Sequence, residues 1–348
     1  MINLFVSKLF KSLNKYKIKY AILRNYKSMP SKPKDTKYFD LDIIVLSKDL
    51  KKFNEILNKT INKEKALLFK TFKRSYCHHY RIIKFKKKKL DNIQIDVHTK
   101  GQGYLGFFYM LENEILDSRK KYKNFYVVSD FHMNLFNWID KLQWGHVKPK
   151  YSNPIKKNMN KNIELLELFL KKRFLKKQTI LSIKKIFTNP YKKTENTIKY
   201  KNSILISFIL WSVIKHPIKT IIWTIEFIYR EIILRIFPPG LFLILKKNKK
   251  FNKDLFKKLS KTAIMGQEAK LISLNKENKL NYLSSYINII WPVVRKHGLV
   301  VCIYNNEFVG KKTILKKNFN YNELIKYIIY EYKKPNFIGF PNLVIDNK

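Results

Sequence analysis

The sequence predicts a mixed α/β protein. Its first part has short apolar runs that alternate with polar residues, which is typical of a half-buried sheet, here with helices between the strands. Residues 148–236 carry apolar residues at helical spacing, and from residue 237 short apolar runs alternate with helical patterns, which indicates a parallel α/β unit. We therefore expect three parts: residues 1–147, 148–236 and 237–348.

The composition is that of a folded chain. Of the 348 residues 45% are hydrophobic and 15% aromatic, enough to bury substantial cores. The two cysteines, Cys77 and Cys302, do not make a disulfide framework, so a reducing cytoplasmic location is expected. Cys77 lies in "YCHHY", where neighbouring strand residues face opposite ways, and zinc binding is not expected there.

The formal charge of +47 comes from 72 Lys and Arg against 25 Asp and Glu. The lysines are spread along the whole chain, and residues with AT-rich codons are abundant, so genomic bias explains the charge. Arginine, which is preferred for bidentate contacts with phosphate and guanine, is rare. Nucleic acid is therefore not the expected partner.

The most apolar stretch, residues 203–214, is too short to span a bilayer, and Lys215, Pro217 and Glu226 interrupt a longer span. We expect packed helices and no transmembrane span. The alternative is peripheral membrane contact, with a helix lying on the membrane surface between flanking basic residues.

Helices and strands alternate in the first part. A helix over residues 1–17 comes first, and a capped helix over 47–60 follows the second strand. Another helix comes after "GQGYLGFF", and a capped helix covers 129–145. The predicted strands are "KYAILRNY" (19–26), "FDLDIIVL" (39–46), "ALLFKTF" (66–72), "HHYRIIKFK" (78–86), "NIQIDVHT" (92–99) and "NFYVV" (124–128).

Three carboxylates stand out in these strands. Strand alternation puts Asp40 and Asp42 on one face, and Asp96 on the polar face of a later strand. Either the pair lies in water at a strand end, or the three carboxylates hold a divalent ion for nucleotidyl or phosphoryl transfer. In the second case we expect at least one of them to have a raised pKa when no cation is bound.

The order of these features resembles the nucleotidyltransferase-fold domains of bacterial proteins that are often encoded near polysaccharide biosynthesis genes. The resemblance covers residues 10–150, through "YAILRNYKSMP", "FDLDIIV" and "IQIDVHTKGQGYLGFFYMLENEIL". It implies that Asp40, Asp42 and Asp96 are catalytic and hold Mg²⁺ or Mn²⁺.

The Gly-Ser pair that usually precedes the two aspartates in that family is missing. The turn here contains Arg24 and Asn25. Arg24 could hold a phosphate bidentately, although the close backbone approach of glycine is lost. An ordinary charge at a strand end is the equal alternative for Arg24. Lys141 could reach a triphosphate, but solvent exposure is expected for it and for His146.

The stretch "RIFPPGLFLILKKNKKFNKDLFKKLSK" resembles the opening of a thymidylate-kinase-like P-loop domain. On that pattern the phosphate loop is residues 246–254, in which every glycine is absent, the lysine position holds Asn252 and the Ser/Thr pair is replaced by Lys253 and Asp254. Since the backbone needs glycine to surround a phosphate, this unit is predicted to be a degenerate, inactive kinase-like domain. An unrelated α/β unit is the alternative.

The predicted function is metal-dependent transfer of a nucleotidyl group from an NTP to a small or glycan-related acceptor. The alternative is a non-catalytic binding protein, a pseudoenzyme that retains both folds without chemistry. A third hypothesis, association with membrane or nucleic acid through the basic surface, is weakened by the scattered lysines.

Overall fold

The computed structural model describes most of the chain up to residue 246 and shorter segments after it. The described residues are 2–31, 39–73, 77–86, 89–104, 107–144, 149–188, 200–238, 240–246, 256, 269–274, 284, 286–295, 299–304, 314–315 and 343–345. They confirm the predicted mixed α/β class, with a mixed sheet first, helices in the middle and parallel strands last.

The N-terminal sheet is mixed. The described strands up to residue 127 are β1 (Tyr20–Ile22), β2 (Phe39–Val45), β3 (Leu67–Lys73), β4 (Cys77–Lys86), β5 (Lys89–His98), β6 (Gly101–Tyr104), β7 (Phe107–Leu111), β8 (Lys120–Tyr122) and β9 (Phe125–Val127). Seven of them form one sheet in the order β3-β4-β5-β2-β1-β9-β8. The pairs β2–β5 and β1–β9 are parallel and the other pairs are antiparallel.

Strand alternation separates the two faces of this sheet. On β2 the side chains of Leu41, Ile43 and Val45 are fully buried in one core, whereas Ile44 is buried in another. Asp40 and Asp42 share the face of Ile44, because side chains two residues apart point the same way. The prediction that the two carboxylates point to the face opposite Leu41, Ile43 and Val45 is therefore confirmed.

Two helices cover the apolar face. They are α1 (Ile2–Lys15) and α2 (Leu50–Lys63). Their buried residues recur at intervals of three and four, so each helix turns one apolar stripe to the sheet. Phe10 of α1 contacts the rings of Tyr20 and Phe125, which joins the helix to β1 and β9.

The opposite face is covered by later helices. The described ones are α3 (Glu112–Asp117), α4 (Asp130–Trp144), α5 (Pro149–Lys161), α6 (Ile163–Lys172), α7 (Lys177–Thr188), α8 (Lys201–Lys215) and α9 (Pro217–Ile236). Ile44 of the sheet, Trp138 of α4 and Phe187 of α7 belong to one buried cluster. The helical middle is thus confirmed, and it shares a core with the residues before position 147.

The helices α8 and α9 meet at His216 with an angle of 119° between them. Pro217 occupies the first turn of α9, where a missing N–H costs nothing. Within the described part of the chain, no single helix is long and apolar enough to cross a membrane. The bent pair α8–α9 meets that criterion by length and composition only.

The C-terminal strands form a parallel sheet. Those described are β10 (Leu241–Lys246), β11 (Ala269–Leu274), β12 (Leu299–Tyr304), β13 (Ile314–Leu315) and β14 (Leu343–Ile345), in the order β11-β12-β10-β14-β13. All four neighbouring pairs are parallel. Helix α10 (Trp291–Arg295) packs on β12, and its Val293 and Val294 are buried with Val300 and Cys302.

Several local predictions differ from the structure. The predicted strand 19–26 is a strand only over Tyr20–Ile22, and β8 was not predicted. Residues 101–104 (β6) and 107–111 (β7) pair as antiparallel strands, which the sequence did not predict before the helix. Gly101 begins β6 at φ +120°, and a Cβ there would lie 2.1 Å from the carbonyl oxygen of Met110. Only glycine fits this close approach, so the glycine marks the start of β6.

Candidate metal centre

Parallel pairing of β2 with β5 brings the three predicted carboxylates together. Asp42 lies opposite Asp96 in the register, and Asp40 lies opposite Gln94. One carboxylate oxygen from each of Asp40, Asp42 and Asp96 lies within 4.8 Å of the others. Asp42 is only 2% exposed, and the other two are half-buried.

This donor set fits a hard divalent cation. Carboxylate oxygens are the ligands that Mg²⁺ and Mn²⁺ prefer. With metal–oxygen distances of about 2.1 Å, opposite ligands of Mg²⁺ lie about 4.2 Å apart. Neighbouring ligands of an octahedral ion lie only about 3.0 Å apart, so the three oxygens, which lie within 4.8 Å of one another, would have to move closer together to bind one ion.

Arg24 lies against one of these carboxylates. Its Nε donates to Oδ2 of Asp42 over 2.6 Å and its Nη2 to Oδ1 over 3.3 Å. Its Nη1 lies 3.5 Å from Oδ2 of Asp140 on α4. Burial alone would lower the pKa of the guanidinium, but the two carboxylates raise it. Arg24 is therefore a fixed positive charge beside the centre.

Asp96 is held by two polar neighbours. Nδ1 of His79, opposite it on β4, lies 2.7 Å from Oδ1, and Nε2 of Gln94 donates to both carboxylate oxygens at 3.3 and 3.1 Å. Burial would raise the pKa of Asp96, yet the interaction with His79 lowers it to about 2. The pKa of Asp96 is thus lowered and not raised, because His79 supplies favourable contacts to its carboxylate. The prediction that at least one of the three carboxylates has a raised pKa is not met at this residue.

His98 lies two residues beyond Asp96 on the same face. Its side chain is 8% exposed, and burial lowers its pKa to about 4, against the opposing effect of Asp42 and Asp96. His98 is therefore neutral near pH 7. The ring of Phe136 from α4 packs edge-on against it and also lies under the guanidinium of Arg24.

Asn25 lies in the turn after β1. Its backbone is left-handed, with φ 60° and ψ 22°, a conformation that asparagine tolerates better than most residues. Its Oδ1 accepts a hydrogen bond of 2.8 Å from the hydroxyl of Tyr151 on α5. The turn thus keeps a glycine-like backbone, while its amide oxygen is tied to the helical middle.

Several other predicted site positions lie wholly or partly outside the described residues. The backbone of Lys141 lies in α4, but its side chain and all of His146 are outside the described residues. The predicted P-loop remnant is also outside them from residue 247 onward, with only Lys246 at the end of β10 described.

A cavity of about 500 Å³ lies away from the three aspartates, between α3, α4, α5 and α6. His132 lines it, and the Nδ1 of this histidine lies 2.8 Å from the hydroxyls of Ser118 and Ser129. Burial lowers the pKa of His132. None of the three aspartates lines this cavity, so it is separate from the candidate metal centre.

The sequence did not point to three neighbours of the centre: His79, Phe136 and Asp140. Strand alternation places His98 on the face of Asp96, but no role was predicted for it. Phe136 and Asp140 are four residues apart, so they share one face of α4. The partner of Asp96 on β4 depends on an antiparallel register that the sequence does not specify.

Comparisons with known proteins give only distant likenesses. No protein-family model and no curated protein matches the chain. The crystal structure of JHP933 from Helicobacter pylori matches at 10% identity and a TM-score of 0.31, over 67% of this chain and 94% of that one. A second H. pylori structure, provisionally named a nucleotidyltransferase, matches at 8% identity and a TM-score of 0.32, over 65% and 96%. TM-scores this low do not establish a common fold.

Proposed function

We propose that this protein is a metal-dependent nucleotidyltransferase that moves a nucleotidyl group from an NTP to a small or glycan-related acceptor. The observation that carries the proposal is the cluster of Asp40, Asp42 and Asp96, with one oxygen of each within 4.8 Å of the others. Two aspartates two residues apart on one strand, with a third on the parallel neighbour, make a compact all-oxygen donor set.

Asp40, Asp42 and Asp96 would hold Mg²⁺ or Mn²⁺. Such an ion neutralises charge on the triphosphate oxygens and orients the phosphates for in-line attack. The low pKa of Asp96 keeps its carboxylate ionised, as a cation ligand must be.

The proposed reaction is an in-line displacement at the α-phosphorus. The acceptor oxygen forms a bond to the α-phosphorus, and the bond from that phosphorus to the bridging oxygen of the β-phosphate breaks. Pyrophosphate leaves and the acceptor's proton passes to water. His79 and Gln94 keep the Asp96 carboxylate in one orientation throughout.

Arg24 and Asn25 would receive the nucleotide. The Arg24 guanidinium lies beside the carboxylates and can bind a phosphate bidentately once a cation takes over the charge of Asp42. The left-handed backbone at Asn25 supplies the turn that the Gly-Ser pair of the resembling family supplies. Both residues would therefore contact the triphosphate rather than the acceptor.

The same arginine supports the alternative function, a non-catalytic binding protein. A pseudoenzyme can replace a catalytic cation by a permanent side-chain charge, and the short Arg24–Asp42 ion pair is an arrangement of that kind. Tyr26 does not add to it, since its hydroxyl lies 3.5 Å from Asp130 and its ring packs on Tyr122. The two functions differ in whether a divalent ion displaces Arg24.

A labelling experiment separates the candidates. Purified protein is incubated with Mg²⁺, a metabolite and glycan-precursor extract, and each NTP labelled in either the α- or the γ-phosphate. Nucleotidyl transfer puts the α-label in a new product and the γ-label in pyrophosphate. Phosphoryl transfer puts the γ-label in the new product and leaves the α-label in the nucleoside diphosphate, and a pseudoenzyme gives no new product.

The remaining proposals concern the rest of the chain. We propose that residues 1–147 form the catalytic unit, 148–236 a helical region and 237–348 a degenerate thymidylate-kinase-like domain without an ATP site. What supports the last is the parallel sheet that contains β10 and β12, together with the glycine-free stretch after β10. We also propose a cytoplasmic location, supported by the scarcity of cysteine.

A further inference from the structure

Helix α9 exposes a continuous row of large apolar side chains. Seven residues form this row, which we call the isoleucine stripe: Ile218, Ile221, Ile222, Ile225, Ile228, Tyr229 and Ile232. Their exposed fractions run from 48% at Ile232 to 73% at Ile218. At 100° per residue they lie within an arc of about 120° on the helix surface.

The other face of α9 is anchored to the N-terminal unit. Trp223 is 1% exposed and packs on Phe108 of β7. Gly103 of β6 approaches the same indole so closely that a Cβ would lie 2.9 Å from it. Lys100, four residues after Asp96, pairs with Glu226 at 2.8 Å. The helix is thus fixed, and its stripe points away from the protein.

The stripe is not an ordinary scatter of surface apolar residues. Single exposed isoleucines are common, but a row covering one whole face of a 20-residue helix marks an interaction surface. Within the described part of the chain, the exposed fractions show that no element covers it. The adjoining helix α8 also has exposed apolar residues, namely Ile206, Leu210, Val213 and Ile214.

The charges around the stripe are mainly basic. Lys215, Lys219 and Arg230 lie on α8 and α9 near it, and the two acidic residues of α9 have basic partners. Glu226 pairs with Lys100, and Glu231 lies 4.0 Å from Arg235. A helix with an apolar face, basic flanks and neutralised acids is the pattern of a helix that lies in a membrane interface.

We propose that the isoleucine stripe docks the protein on the surface of an anionic lipid bilayer, with α9 lying in the plane of the headgroups. A second copy of the chain is a poorer occupant, because each copy carries a net charge of +47 and the two would repel. An anionic surface instead attracts that charge, so apolar burial and electrostatics act together.

Vesicle flotation with the full chain tests this proposal. The vesicles contain phosphatidylcholine alone or with phosphatidylglycerol. The wild type is expected to float with the anionic vesicles and less with the neutral ones. The variant Ile221→Ser/Ile225→Ser/Ile228→Ser is expected to lose roughly tenfold or more of the partitioning, since binding scales with buried apolar area.

A control variant removes three similarly exposed apolar side chains elsewhere. Leu165→Ser/Leu168→Ser/Leu181→Ser changes side chains that are 50%, 50% and 45% exposed on α6 and α7, and it is expected to float like the wild type. Circular dichroism and a thermal transition check that both variants fold. A tryptophan introduced by Tyr229→Trp is expected to be quenched by brominated lipid.

Three results would overturn the proposal. One is absence of wild-type flotation with anionic vesicles. Another is equal flotation of the stripe variant and the wild type, which would assign binding to the scattered lysines alone. The third is a lipid-free dimer, measured by sedimentation, that the stripe variant dissociates while vesicle binding is absent; a second copy would then cover the stripe.

Discussion

The guanidinium of Arg24 forms a two-bond ion pair with the carboxylate of Asp42, with Nε 2.6 Å from Oδ2. Asp42 is almost fully buried, so the pair compensates a charge that would be costly by itself. It also occupies one of the three carboxylates that would hold a cation. Arg24 and a divalent ion therefore compete for the same negative charge.

The first prediction concerns this competition. Arg24→Ala leaves Asp42 without its paired charge, so the ion-free protein should lose about 3 kcal/mol of stability. The same variant should bind Mn²⁺ more tightly than the wild type, and its stabilisation by Mn²⁺ should be larger. Stabilisation by NTP should be weaker, because the proposed phosphate contact is lost. Thermal denaturation with each ligand measures all three.

Arg230→Ala on α9 is the control for this experiment, and it should leave both ligand responses unchanged. If Arg24→Ala denatures like the wild type and responds equally to Mn²⁺, the ion pair has no bearing on cation binding.

The second prediction concerns the metal ligands. A ligand that binds only the folded state raises the thermal midpoint, so Mg²⁺ or Mn²⁺ should stabilise the wild type and more so with NTP present. Asp42→Asn keeps the shape of the side chain but removes its charge, and this variant should lose the shift. Asp49→Asn, at the start of α2, is a control that should keep it. An equal shift in Asp42→Asn and the wild type would rule out this centre.

The third prediction concerns pH and the packing of α1. Glu64 at the end of α2 is buried. Its hydrogen bond with Lys8 lowers its pKa, burial raises it, and the contact with Lys84 lowers it again, so that the net shift is downward. A lowered folded-state pKa stabilises the protein above the unfolded value of about 4.3 and loses that effect as the pH falls through the folded value. Glu64→Gln should therefore cost about 1–2 kcal/mol at pH 7.

The difference between Glu64→Gln and the wild type should shrink steadily as the pH is lowered from about 4. Urea titrations at several pH values measure it. Glu55→Gln, an exposed change on the same helix, should be neutral throughout. A Glu64 effect that is independent of pH would assign the role of this residue to packing instead of charge.

The fourth prediction concerns the connection between the sheet and the helical middle. Arg173 is 1% exposed, donates to the carbonyl oxygen of Tyr109 over 2.6 Å, and makes two bonds of 2.9 Å to Glu114. Glu114→Gln leaves the buried guanidinium without a counter-charge and should cost about 2–3 kcal/mol. Glu164→Gln on α6 is the exposed control. A loss below 0.5 kcal/mol, the size of an ordinary surface effect, would contradict the role given to this pair.

The sequence predicted the placement of Asp40, Asp42 and Asp96 because strand alternation is a local property. Asp40 and Asp42 are two residues apart on β2, so they share one face. On β5 the apolar residues 93, 95 and 97 occupy one face, so Asp96 lies on the other, polar face. That β2 and β5 are direct parallel neighbours is a long-range fact that the local pattern does not specify.

Other features of the centre depend on contacts that pattern analysis does not reveal. The pairing of His79 with Asp96 needs the exact antiparallel register of β4, and Arg24 reaches Asp42 only because β1 and β2 are antiparallel neighbours. The sequence also did not show that the isoleucine stripe is exposed. An amphipathic helix has the same sequence pattern whether its apolar face is covered by other elements or open to solvent.

The central claim is that three aspartates carry metal-dependent nucleotidyl transfer, and the direct measurement is transfer of an α-phosphate label by Asp40→Asn and Asp96→Asn beside the wild type. The account predicts Mg²⁺-dependent product from the wild type. Each variant should be slower by about a hundredfold or more, since a lost ligand removes several kcal/mol of transition-state stabilisation. Both variants should still unfold cooperatively near the wild-type midpoint. Transfer that persists in either variant, or a wild type that forms no product with any NTP, would contradict the account.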